Sequence, residues 1–313
     1  MKKEKITNRI IILIIITVSF YAVILSFADF NLLIEGISNF NFQYMPLILS
    51  LTVAHFVILG IKFHILTKKL GIVLPLKENL KIFIAGLSLA FTPVGIGTAI
   101  KSQLLKNKLG KSISSTLPII IIERWTELLA VLILSSILLI WSDTSQTKIV
   151  LGFGYLLLAI SFLIIYNSKI FNTTKQILSK IKFVNKFTTS LDESRDSLSI
   201  LNTKKTLVEA TSLSIVAKFI QVITVYFIFL SYGVDLGLFL SGQIYYTSMI
   251  LGVITFIPAG ILVTEASMLS MLVDHNVQFA IATLIVILTR IITLWLATFV
   301  GIFMLKFGFR HEN

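Results

Sequence analysis

The run Ile122-Glu123-Arg124-Trp125-Thr126-Glu127 sets three charges inside an otherwise apolar stretch. A charge within a membrane-crossing helix costs at least about 2.5–3.5 kcal/mol on insertion scales, so it is kept for a partner or a task. Arg124 and Glu127 are three apart and share a helical face, which lets them pair directly. Two roles fit that pair: an ion pair that locks helices, or a guanidinium held ready for an anion. Arg290 stands near the middle of another apolar run, with no acid within one helical turn. Its expected partner is Glu265, on a short stretch after Pro258-Ala259-Gly260, where a helix N-terminus would add positive potential. Lys101, eight residues after Pro93, is expected at the mouth of an earlier interrupted segment. There it and Arg124 could meet an anionic group from the cytoplasmic side, or Lys101 could serve as a topology marker only.

Other polar residues in apolar runs carry weaker signals. His55 reads as a hydrogen-bonded core histidine, Lys218 and Gln221 share a helical face, and Lys62 is placed close enough to a helix end to snorkel. None of these has metal-ligand or catalytic spacing, and no HExxH, GxSxG or phosphate-cradling glycine loop is present. No metal, cofactor or catalytic residue is therefore expected. With no cysteine, disulfides and thiolate sites are excluded.

The elements that must position these residues follow from composition. Hydrophobic residues make up 56% and charged residues 13%, a balance that places the chain in a bilayer. Apolar runs of about the 20 residues needed to cross it occur at 10–28, 44–66, 117–141, 149–166, 207–231 and 279–305. The first follows a basic start but is too long for a signal-peptide core, and it reads as a retained span. Two more apolar stretches, 82–105 and 238–273, are interrupted at Pro93-Val94-Gly95-Ile96-Gly97 and Pro258-Ala259-Gly260. Proline breaks a helix, and unpaired backbone is tolerated in a membrane only where protein or a watery cavity covers it.

The net charge of +12 is distributed by topology and does not suggest nucleic acid. Of 27 Lys and Arg residues, 22 fall in 1–9, 67–81, 101–116, 167–206 and 306–313. The alternate connections 29–43, 142–148, 232–237 and 274–278 hold only Lys148. This asymmetry puts both termini in the cytoplasm, and it requires 82–105 to enter and leave on the inside while 238–273 turns back to the outside. Phe91-Thr92-Pro93-Val94-Gly95-Ile96 parallels Phe256-Ile257-Pro258-Ala259-Gly260-Ile261, and an arginine follows each proline, by 31 residues at Arg124 and by 32 at Arg290. The expectation is one all-α polytopic membrane domain over 1–313, a helical bundle of two inverted-topology repeats, each with a Pro/Gly-broken re-entrant hairpin. The first half is about 1–166 and the second 207–313. An amphipathic cytoplasmic linker, 167–206, joins them, either as a solvated connector or as a binder of anionic lipid.

These residues resemble the transmembrane, flippase-like region of lysylphosphatidylglycerol synthases. The likeness rests on Leu89-Ala90-Phe91-Thr92-Pro93-Val94-Gly95-Ile96-Gly97, Glu123-Arg124-Trp125-Thr126-Glu127, Ile257-Pro258-Ala259-Gly260 with Glu265, and Arg290. It spans most of the chain, and it departs from the family at Leu262, where a glycine is usual. The resemblance implies movement of a lipid between leaflets of the cell membrane, with the hairpins lining the path. Neither the soluble aminoacyl-transferase domain nor the glycosyltransferase domain of some relatives is read here, so the expected function is non-enzymatic. Lys101, Arg124 and Glu127 would engage an anionic or polyprenyl-linked headgroup from inside, and Glu265 and Arg290 from outside. Two rivals stay open: an embedded enzyme acting on a lipid-linked substrate, and a membrane partner of a separate lipid-modifying enzyme. Homo-oligomerisation is also compatible with the sequence.

Overall fold

A computed structural model describes residues 22, 29–90, 100–141, 145–166, 173 and 194–309. Among these, every regular element is helical. The first apolar run, apart from Ala22, and the break at Pro93, Gly95 and Gly97 lie outside the described residues, as does most of the linker. The elements are α1 (Phe30–Ser38), α2 (Met45–Lys69), α3 (Leu76–Gly86), α4 (Ile100–Leu109), α5 (Ile113–Leu138), α6 (Ser145–Tyr166), α7 (Lys204–Ser231), α8 (Gly237–Ile254), α9 (Val263–Asp274), α10 (Phe279–Arg290) and α11 (Leu296–Phe307).

Local chemistry sets the boundaries. Ser112 accepts from Ser115 N–H to start α5, and Thr203 accepts from Thr206 N–H to start α7. Hydroxyls within the apolar helices bond back along their own backbone, as Thr52 does to Ile48 O at 2.7 Å and Ser248 to Ile244 O at 2.8 Å. That return bond hides a polar group that lipid could not satisfy. Four helical stretches are long and apolar enough to cross a membrane: Phe42–Lys69, Lys204–Ser231, Gly237–Ile254 and Phe279–Phe307. The last passes without interruption from α10 to α11 through a π-helical segment, Ile291–Trp295, in which Leu296 N–H donates to Ile291 O five residues back. Helix α5 is as long as these, but Glu123, Arg124 and Glu127 make it too polar to qualify by composition alone.

The centre of the bundle is the antiparallel pair α2 and α7, with α5 packed against α7. At one end of that pair Lys69 meets Glu209 at 3.2 Å, and at the other Asn41 N–H donates to Ser231 O at 2.8 Å. Helices α3 and α4 fold back on one another at the lysine-rich end. Lys108 meets Glu78 at 2.6 Å, and the stem of Lys101 crosses Gly86. Lys108 and Lys81 together hold the Glu78 carboxyl down at about 2. Helices α8 and α9 form the opposite arrangement. Ser248 touches Met271, and Gly252 lies against Gly260 where the chain turns. The helical residues 194–201 at the end of the linker anchor to the bundle through Leu201, which is fully buried, and through Ser194 Oγ donating to Ser114 O at 2.8 Å.

Candidate functional site

The turn between α8 and α9 is a short 3-10 segment, Pro258–Gly260. Phe256 (φ 54°), Ala259 (φ 53°) and Leu262 (φ 75°) are non-glycine residues in the left-handed region, so strain is concentrated within seven residues. The turn is made despite the side chain of Leu262. Arg290 secures it: Nε donates to Glu265 Oε1 at 2.7 Å and Nη2 donates to Ala259 O at 2.8 Å. The break thus presents a carbonyl to the guanidinium. The positive helix terminus expected at this place is answered by the buried Glu265 in the first turn of α9.

A second polar cluster lies where α2, α5 and α7 meet. Lys62 Nζ donates to Glu127 Oε1 at 3.0 Å and to Ser214 Oγ at 3.0 Å, while Arg124 Nη2 reaches the same Glu127 oxygen at 3.2 Å. Lys101 is paired separately with Glu123 at 2.7 Å, both side chains fully buried, and its ammonium lies 4.6 Å from the centre of the Phe83 ring. Lys218 has the Gln221 side-chain oxygen at 3.3 Å, and among the described residues no carboxylate comes within 4.0 Å of it. Tyr246 O–H donates to Lys218 O at 2.6 Å and ties this turn of α7 to α8. His55 Nδ1 lies 2.8 Å from Ala217 O, so that ring nitrogen carries the donated proton.

Both clusters open on one cavity of about 620 Å³. Arg124, Glu127, Lys218 and Gln221 line it from one side, and Arg290 and Gly260 from the other. Most of the remaining wall is apolar, including Leu117, Ile120, Trp125 and Val253. Leu87 and Ala90, which follow α3, and Ala259 and Gly260, in the turn between α8 and α9, border the same space. Among the described residues, the charges buried in the bundle or lining its cavity are five cations, Lys62, Lys101, Arg124, Lys218 and Arg290, and three carboxylates, Glu123, Glu127 and Glu265. The Lys101–Glu123 and Arg290–Glu265 pairs are balanced, so the positive excess is gathered around Glu127.

The expected partners Arg124 with Glu127 and Arg290 with Glu265 are brought together, and both arginines reach the cavity. Two placements differ from expectation. Lys101 is not at a mouth open to the cytoplasm, because its stem packs over Gly86 and its charge is spent on Glu123. Lys62 does not snorkel to an end; it is completely buried at the centre of the Glu127 cluster. Lys218 carries more than sequence reasoning assigned to it. The signal that could have found both lysines is the imbalance itself, since Arg124 and Glu127 alone leave no carboxylate for either.

A bundle of long apolar helices with paired charges at its centre defines a multi-pass integral membrane protein. The chain belongs to the family described as the lysylphosphatidylglycerol synthase TM region, which it matches over residues 10–301. It is 28% identical over 207 residues, 65% of this chain and 86% of the relative, to the UPF0104 membrane protein MJ1078 of Methanocaldococcus jannaschii. No solved structure matches it.

Proposed function

We propose that the protein moves an anionic lipid headgroup between leaflets of the cell membrane, the headgroup passing through the polar interior while the acyl chains stay in lipid. The observation that carries this reading is the cavity of about 620 Å³ whose charged lining, Arg124, Lys218 and Arg290 against Glu127, is set in apolar walls. An amphipathic ligand fits such a lining. The two helical hairpins support the same reading. The legs of α3 and α4 open toward the lysine-rich end and those of α8 and α9 toward the other, and Leu87 and Ala90 after α3 border the cavity together with the turn between α8 and α9. Re-entrant hairpins of an inverted repeat, one gating each face, have this geometry, and alternating access needs no more than opening them in turn. In this reading both termini are cytoplasmic, Arg124 and Glu127 engage the headgroup on the inner side, Arg290 with Glu265 does so on the outer, and Lys101 holds α4 against α5. Movement would be downhill or coupled to an ion.

Reconstitution into liposomes tests it, by following how fast labelled lipids of several headgroups become accessible to an external quencher. Anionic lipids are expected to move faster than in empty vesicles, and Arg124→Ala to slow them. No acceleration for any headgroup would remove the transport reading. Acceleration unchanged in Arg124→Ala would leave transport in place and remove this site.

A further inference from the structure

Among the described residues, the cluster around Glu127 holds more positive charge than the carboxylates answer. Lys62 and Arg124 share one oxygen of Glu127, and Lys218, which lines the same cavity as Arg124 and Glu127, has an amide oxygen as its nearest acceptor. Arg124 Nε is buried with no partner. An uncompensated charge in a protein interior is costly, and a neutral side chain of similar shape would serve packing better. Such a site is economical only if a ligand brings the missing negative charge. The formal excess of Lys62, Arg124 and Lys218 over Glu127 is two. A phosphodiester carries one negative charge. A phosphate monoester carries about −1.5 to −2 near neutral pH and offers three strong acceptor oxygens. Arg124 supplies a planar fork for two of them and Lys218 a point charge for the third. The apolar wall beside them, formed by Leu117, Ile120 and Trp125, suits the first methylenes of a hydrocarbon chain.

We propose that Arg124 and Lys218 together bind the terminal phosphate of a phosphomonoester lipid. This rests on the translocation reading and narrows its cargo. The test is equilibrium binding by native mass spectrometry of the full chain in detergent, with phosphatidic acid and phosphatidylglycerol of identical acyl chains, and glycerol 3-phosphate as the soluble competitor. Phosphatidic acid is expected to be retained at least about tenfold more tightly than phosphatidylglycerol, one charge-assisted contact's worth. Lys218→Gln should abolish that preference and raise the unfolding midpoint of the unliganded protein, since it removes an unpaired charge. Lys218→Arg should retain the preference. A residue with a purely structural role would lower the midpoint when replaced and leave the preference intact. Equal retention of the two lipids by the native protein overturns the proposal, as does an undiminished preference in Lys218→Gln. Competition by glycerol 3-phosphate at the concentrations where phosphatidic acid binds would make the ligand a soluble phosphate ester and overturn the lipid assignment. Preference for phosphatidic acid without its movement in liposomes would sink the transport reading alone, whereas rapid movement of phosphatidylglycerol with no monoester preference would sink only this one.

Discussion

Replacing Arg290 by glutamine removes the guanidinium that meets the buried Glu265 carboxylate and the donor that meets the Ala259 carbonyl. Breaking one side of a buried pair costs about 3–5 kcal/mol, because the remaining charge loses its compensation. Arg290→Gln is therefore expected to lower the thermal unfolding midpoint in detergent sharply. Adding Glu265→Gln should restore much of the loss, since the buried negative charge is then gone. If the double variant is as unstable as the single one, the pair is not what holds the turn. The same reasoning separates the two arginines. Arg124 has a third of its side chain exposed and shares its carboxylate with Lys62, so its removal leaves Glu127 still paired. At Arg124 function should suffer more than stability, and at Arg290 both.

Among elements, the contact between α11 and the end of α3 is unusually close. A Cβ at Gly301 would collide with Ser88 N and stand 2.8 Å from Leu87 C and 2.9 Å from Ile84 O, all backbone atoms that cannot rotate away. In a free helix Gly→Ala would stabilise by about 1 kcal/mol. Here Gly301→Ala is expected to destabilise by about 1–3 kcal/mol, the cost of overpacking. Since the two effects have opposite sign, the direction of the midpoint shift alone decides whether α11 rests on the backbone of 84–88. The strained turn shows where sequence reading stopped at this scale. Proline and glycine announced a break at 258–260, but the positive φ at Phe256, Ala259 and Leu262 is imposed by the return of α9 onto α8 and by the hold of Arg290 on Ala259 O. No residue type at those three positions signals it.

At the scale of the whole molecule, the placement of lysines and arginines predicts which end faces the cytoplasm, and the absence of cysteine makes that testable on a clean background. Single cysteines at the exposed positions Lys77 and Lys205 should react with an impermeant maleimide only after cells are permeabilised. Cysteines at Ser38 and Asn276, exposed at the other end, should react from outside. Labelling of all four from one side would refute the topology. The sequence by itself determined the membrane class, the all-helical architecture, the interruption at 258–260 and the charges worth attention, because hydropathy over about 20 residues, proline chemistry and the cost of a charge in lipid are local quantities. It also pointed from Arg290 to Glu265 across 25 residues, since each was the other's plausible counter-charge. Only the tertiary structure decided which cation meets which carboxylate. Lys62, Lys101 and Lys218 are alike as letters, yet one shares Glu127, one closes on Glu123 and one is left facing the cavity. Pairing of charges depends on distances between helices far apart in the chain, and those are set by packing, to which neither spacing nor periodicity refers.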